Sequence, residues 1–275
     1  MASTDHKHFS KSIFGHTLTN RILAIMVFSF RVWQRNLDSF KRQWRAEAGG
    51  FIIEPIVMLS AMTFGLGGFV GSIDGISYGS FVTPGIIVAY AMFHSAFEAT
   101  YGAYMRMETH HLYDGILTTP VAVEELILGE VVWAATRSIA AGICVLTTGF
   151  ALGLVHSWFS LLTVIVAFFV GIIFASLALT LVSKAGSLGT LNNFFTVFIT
   201  PMFFFSGIFF PLTQMPQIVQ TVVSWLPLAQ ATTLTRHLTT GQLTSGTLIP
   251  LLGLLLWTAI TVPIAIIMMR RRIIR

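Results

Sequence analysis

Charge is what this sequence has least of. Only 10% of its 275 residues are Asp, Glu, Lys or Arg, while 55% are hydrophobic. A water-soluble domain carries roughly a quarter charged residues, so the polar surface here is too small to cover a water-facing globule. A soluble enzyme, a disordered chain and a disulfide scaffold are all excluded. The single cysteine, Cys144, lies in an apolar stretch and excludes an internal disulfide. No Asp or Glu follows Glu130, which excludes a carboxylate-rich metal or proton pathway in the second half. Several catalytic patterns are missing as well. There is no His-Glu-x-x-His, no Gly-x-Ser-Gly and no zinc-spaced Cys/His group. His110-His111 and the pair His6/His8 lack further ligands, so no metal is expected. No Gly-x-x-x-x-Gly-Lys-Ser/Thr occurs either, so the chain by itself does not cradle nucleotide phosphates.

What is present is long apolar runs. A helix needs ~20 largely apolar residues to cross ~30 Å of hydrocarbon, and six such runs fall at about 51–70, 82–103, 131–154, 158–182, 194–211 and 248–269. The expected fold is therefore an all-α polytopic membrane protein whose transmembrane domain covers residues 51–269. No secretory signal is visible before the first run.

The net charge of +5 and the sequence pI of about 9.7 could suggest a nucleic-acid partner. Placement of the charge argues against it. Lys7, Lys11, Arg21, Arg31, Arg35, Lys41, Arg42 and Arg45 precede the first run, and Arg270, Arg271, Arg272 and Arg275 close the chain in a basic tail, 270–275. Basic residues crowded at membrane boundaries mark the cytoplasmic side. Both termini are thus expected inside, with membrane lipids as partner and no nucleic acid. Arg106 and Lys184 sit where internal loops require them, and Arg236 is the exception.

Residues 1–20 form a polar tail. Over 21–45, Ile22, Ile25, Met26, Phe30, Trp33, Leu37 and Phe40 recur at three- and four-residue steps between basic residues. That pattern predicts an amphipathic helix suited to the headgroup plane; an ordinary helix packed on a partner is the alternative. Between the fifth and sixth runs, the stretch from Phe209 to Leu228 is too apolar for a solvated loop and too broken by proline for a spanning helix. Short helices dipping into the outer leaflet fit it, as does a plain surface helix.

Three polar side chains are expected inside the hydrocarbon: Glu54, His94 and Glu98. His94 and Glu98 are four residues apart on one helical face, so a His–Glu pair serving proton or ion traffic competes with a plain helix–helix hydrogen bond. The internal segment Met105–Pro120 carries Met107, Glu108, His110, His111, Leu112, Tyr113, Asp114, Gly115, Ile116 and Leu117, with Gly and Pro punctuation that fits a short helix. Glu124, Glu125 and Glu130 follow it as acids open to a basic partner.

An ordered series of short motifs carries a resemblance. Glu54-Pro55, Phe64-Gly65-Leu66-Gly67, Pro84-Gly85-Ile86, Phe97-Glu98-Ala99-Thr100-Tyr101-Gly102 and Tyr113-Asp114-Gly115-Ile116-Leu117-Thr118-Thr119-Pro120 resemble the permease subunits of type-2 ABC exporters. Within them the chain is similar to the branch exporting nodulation factors, which are lipo-chitin oligosaccharides. Leu128 to Thr136, Ser206 to Pro211 and Trp225-Leu226-Pro227-Leu228 continue the likeness, so it covers nearly everything from about residue 30 onward.

The resemblance implies a homodimer of six-helix subunits in a bacterial inner membrane, with a separate ATPase subunit under each that binds ATP and Mg; no cofactor is implied in this chain. It implies that 105–119 is a cytoplasmic coupling helix, 21–45 the interfacial helix and 212–228 re-entrant helices. It further implies a substrate path between subunits, lined partly by the first, second and fifth spans, for which Phe64, Phe97, Tyr101, Phe198 and Phe205 are candidates. The expected function is export of an amphipathic lipo-oligosaccharide or lipid-linked glycan, with no catalysis by this chain. A multidrug-type efflux permease, a proton-coupled secondary transporter using Glu98 and His94, and a non-transporting scaffold are the rivals. Tags at both termini are expected to be protected from proteases added outside intact cells and cleaved after permeabilisation.

Overall fold

A computed structural model describes residues 18–73, 75–242 and 245–274. It is an all-α membrane bundle in which six helices are long and apolar enough to cross a bilayer.

Helix α1 runs from Leu18 to Ser60 without a break and continues through a π-wound stretch, Ala61–Leu66, into the short α2, Gly67–Val70. The sequence pattern separates an interfacial helix from a first span; the structure joins them. Nothing between Arg45 and Phe51 is a stop signal: alanine is the best helix former, and each of Gly49 and Gly50 costs only about 1 kcal/mol relative to it. The membrane-crossing part is Glu47–Val70. A two-stranded hairpin, β1 (Ser72–Ile73) with β2 (Ile76–Ser77), turns the chain back at the far end. Gly75, with φ +79°, supplies the left-handed turn residue there.

The second span is α3 (Tyr78–Phe97), capped by Ser77 Oγ accepting from Ser80 N. It is prolonged by π-wound stretches at Glu98–Gly102 and Met105–Thr109. His111, at φ 50°, breaks it, and the six-residue α4 (Leu112–Leu117) follows. The third span, α5 (Val123–Ala151), starts eight residues before the predicted apolar run, because the Glu125 carboxylate accepts from Ala122 N at 2.9 Å and nucleates the helix early. The fourth span is Trp158–Val182, with α6 at Thr163–Val182. The fifth, Leu188–Phe205, contains α7 (Leu188–Phe194), a π-wound stretch Phe195–Ile199 and α8 (Thr200–Phe205).

Two shorter helices come next, α9 (Gln217–Ser224) and α10 (Pro227–Thr240), before the sixth span α11 (Leu248–Ile273). Helix α10 extends twelve residues beyond the predicted end of this region. Its buried face, Leu228, Ala231, Thr235 and Leu238, repeats at helical spacing and packs into the core. Arg236 on α10, the exception to the charge pattern, donates to the carbonyls of Phe81 (3.3 Å) and Gly207 (2.9 Å) and lies 4.0 Å over the Phe81 ring. It is spent on internal bonds at the far end.

The second span is the most buried, while the first, fifth and sixth remain mostly uncovered by the rest of the chain. Their outward Ile, Leu, Val and Phe side chains suit hydrocarbon, or a second subunit, as solvent. The third and fourth spans cross closely at Gly171, where an added Cβ would lie 2.7 Å from Ala135 Cα and 2.8 Å from Ser138 Cβ. Gly171→Val is expected to cost about 1–3 kcal/mol by overpacking, seen as a lower unfolding temperature in detergent. Gly65→Ala, with open space around the position, is not expected to lower it.

Candidate functional site

An arginine within an apolar helix is costly unless paired, and Arg137 lies at the middle of the third span. Its guanidinium reaches the carboxylate of Glu47, at the start of the first span, and lies 3.4 Å from Glu98 on the second. Glu98 accepts from Arg106 Nη1 at 2.8 Å and from Trp133 Nε1 at 2.9 Å. Arg106 donates onward to Glu130 at 2.6 Å, and Glu130 to Arg35 closes the series at 3.1 Å. The order Glu47–Arg137–Glu98–Arg106–Glu130–Arg35 alternates in sign throughout. It ties the N-terminal helix, the second span and the third span at the end of the bundle that carries the basic residues.

Local structure explains how the series fits. Glu98 and Arg106 are eight residues apart, two turns along one face, and Gly102 stands between them. A Cβ there would meet Glu98 Oε1 at 2.7 Å and Arg106 Nη1 at 3.2 Å, so glycine leaves the gap the pair crosses. Helix α1 is pressed onto the third span at another glycine, Gly129, where a Cβ would meet Ser29 O at 2.8 Å. Ser29 Oγ donates to Glu125 O at 3.0 Å and Trp33 Nε1 to Thr136 Oγ1 at 2.9 Å in the same seam. Val32 and Asn36 face inward, while Leu23, Met26, Val27 and Phe30 form an uncovered apolar stripe.

The predicted polar residues separate. His94 and Glu98 do not pair: Glu98 is held by two arginines, and His94 stacks on Phe51 at 4.1 Å. A carboxylate surrounded by guanidinium groups has no need of an imidazole. Glu54 is exposed and lies against Tyr90. Glu124, Glu125 and Glu130 are also engaged within the chain. Glu124 pairs with Arg270 at 2.7 Å, Glu125 caps its own helix, and Glu130 is only 1% exposed. Glu108 similarly meets Arg272 at 3.0 Å. Among the described residues no three His, Cys, Asp or Glu side chains gather as a metal site would require.

On the segment after the second span, Tyr113 is buried beside Ala99, Ala103 and Leu126, and burial pushes its phenol well above the usual tyrosine range. The surface of α4 is made instead by Leu112, Asp114 and Gly115, with His110 and His111 exposed before it. Met107, Ile116 and Leu117 are half-buried supports of the same cluster.

An open chamber of about 630 Å³ lies among the first, second and fifth spans, with Phe51, Phe93, Phe97, Phe195 and Phe203 on its walls and Glu54, His94 and Arg137 as polar groups. Of the five aromatics singled out in the sequence, Phe97 lines it. Tyr101 stacks behind on Phe195 at 5.6 Å and Phe198 on Phe194 at 5.4 Å, while Phe64 and Phe205 point outward from other levels. The three spans around the chamber are those with π-wound stretches; the third, fourth and sixth have none among the described residues. Such windings often occur at functional sites. Sequence reasoning does not bring Glu47, Glu130, Arg35 and Arg137 together: it leaves Glu130 open to a basic partner and Arg35 as a boundary charge only. A signal existed: an arginine at mid-span demands a carboxylate.

The six-span bundle is the membrane-spanning component of a transporter: the chain belongs to the ABC-2 type transporter family, whose signature matches residues 29–239. It is similar to nodulation protein J of Rhizobium leguminosarum bv. viciae, 32% identical over 245 residues, 89% of this chain and 94% of the relative. Nodulation protein J of Rhizobium meliloti (strain 1021) is 36% identical over 212 residues, 77% and 80% of the two chains. The inner membrane transport permease YadH of Escherichia coli (strain K12) is 25% identical over 203 residues, 67% and 72%. Membership implies association with an ABC ATPase.

Removing the Glu130 carboxylate leaves three guanidinium groups facing two carboxylates, one uncompensated positive charge in the buried series, at about 3–5 kcal/mol. Glu130→Gln is therefore expected to lower thermal stability in detergent steeply. Lys41→Gln, which breaks the exposed Lys41–Asp38 pair at 3.2 Å, is expected to change it by less than about 1 kcal/mol.

Proposed function

We propose that this chain is the permease subunit of an ATP-driven exporter that moves an amphipathic lipo-oligosaccharide or lipid-linked glycan out of the cytoplasm or inner leaflet. Two copies form the pore in a bacterial inner membrane, and two ATPase subunits, which bind ATP and Mg, dock beneath them. The basic end faces the cytoplasm, since Arg31, Arg42, Arg45, Arg270, Arg271 and Arg272 cluster there.

The observation that carries the reading is the placement of α4. Leu112, Asp114 and Gly115 project from the basic end while Tyr113 anchors the helix beside Arg106 and Glu130. A push on α4 would therefore act on the charge series and, through Arg137, on the chamber wall. ATP shifts the dimer only as far as it binds one state more tightly than the other. The outward stripe Leu23, Met26, Val27 and Phe30 suits the headgroup layer, and α9 with α10 forms the re-entrant element near the exit.

Chamber chemistry supports an amphipathic cargo: aromatic walls for an acyl chain or sugar faces, and Glu54 and His94 for hydroxyl or amide groups. A drug-type substrate would use the same aromatics. Proton coupling through His94 and Glu98 has less support, because Glu98 is engaged with arginines.

Co-purification and vesicle transport test the proposal. Leu112→Ser with Asp114→Arg is expected to abolish stimulation of the partner ATPase while leaving membrane insertion unchanged, whereas Tyr113→Ala should weaken the fold itself. Full stimulation in the surface variant would refute the docking role of α4. Uptake of lipo-oligosaccharide, rather than of cationic drugs, into inside-out vesicles containing both subunits is the expected transport result.

A further inference from the structure

Two cavities meet at one ion pair. The chamber among the first, second and fifth spans is the first. The second, of about 490 Å³, lies toward the basic end, walled by Arg35, Arg42, Arg106, His110 and Leu112. Glu47 and Arg137 line both cavities. The Arg137 guanidinium sits 5.2 Å from the Phe40 ring, which lines the second cavity, and 5.2 Å from the Phe51 ring, which lines the chamber. A charged group wedged between one ring from each side is a partition.

We propose that the Glu47–Arg137 pair is the gate between a cytoplasmic vestibule and the bilayer chamber, through which the polar head of the cargo passes. This rests on the exporter reading for its direction and its cargo. Opening is cheap on physical grounds. Glu47 is 34% exposed, so released into the vestibule it regains water. Arg137 keeps Glu98 at 3.4 Å and both rings, so no buried charge is stranded. The Glu130–Arg106 contact lacks that property, because Glu130 is fully enclosed. One pair is therefore suited to move and the other to hold.

Gly49 and Gly50 follow Glu47 after Ala48, with open space where their Cβ atoms would be, so the first span has room to tilt beside the gate. The vestibule presents Arg35, Arg42, Arg106 and Arg137 against Glu47 and Glu98. Arg35, Arg106 and Arg137 are paired with Glu130, Glu98 and Glu47. Their remaining donors (Arg35 Nη1, Arg106 Nε and Arg137 Nε have no acceptor among the described residues), together with Arg42, favour a head group that is anionic or rich in hydroxyls. Leu112 of α4 is part of the vestibule wall, which places the gate within reach of the docking helix.

Thiol labelling tests the gate without any ATPase. In a Cys144→Ala background, Met58→Cys reports on the chamber and Ser39→Cys on the vestibule, with a membrane-impermeant maleimide added to sealed inside-out vesicles. The expected result is ready labelling of Ser39→Cys and slow labelling of Met58→Cys. Glu47→Gln should speed the Met58→Cys reaction about two- to fivefold, the change in open population that loss of one partly exposed pair allows, and leave Ser39→Cys unchanged. Glu47→Asp, which keeps the charge, should retain protection. Phe40→Ala is a second opener, for use should Glu47→Gln fail to accumulate. Equal labelling of Met58→Cys with and without either opener overturns the gate. So does labelling of Met58→Cys in the unaltered gate as fast as Ser39→Cys. A protein that passes this test yet stimulates no ATPase would retain the gate and lose the exporter reading.

Discussion

Three arginines and three carboxylates in an apolar bundle set the constraint on which the rest depends. Hydrocarbon offers a charge no solvent, so each guanidinium must find its partners within the chain, and for these three they are carboxylates. Arg35, Arg106 and Arg137 come from three helices, as do Glu130, Glu98 and Glu47, and the arrangement of those helices pairs them all. The N-terminal helix is held against the third span by this requirement and by close backbone contact at Gly129. Electrostatic pairing specifies the arrangement, and apolar packing fills the space around it.

Bundle and chamber divide the work. The third and fourth spans cross tightly through small residues and are wound regularly, which makes a frame. The first, second and fifth carry π-wound stretches and enclose an open, aromatic volume. A π turn leaves one carbonyl without its usual partner and loosens the helix locally, so irregularity is concentrated where a cargo would need the walls to adjust. The charge series runs from the docking end to the edge of this volume, joining frame to chamber through Arg137.

Much of this was legible before the structure. Six crossings follow from run length, and the basic end follows from where Lys and Arg fall. The short helix after the second span follows from its Gly and Pro punctuation. Other features were not legible. His94 and Glu98 share a helical face, yet three-dimensional neighbours outside that helix claimed Glu98 first. Tyr113 looks like a surface residue on a polar segment, but its ring is core. Phe64 and Phe205 are as aromatic as Phe97, and only the rotation of each helix decides which faces the chamber.

The sequence alone determined the solvent of this protein, the number of its crossings and which end bears the charge, because those depend on composition summed over ~20-residue windows and on position along the chain. Tertiary structure alone decided which opposite charges meet, which aromatics share a cavity and where helix α1 lies. These depend on how helices are rotated and spaced against one another. Pairing energies act across residues up to 164 positions apart, as between Arg272 and Glu108, and no periodicity within one helix encodes them.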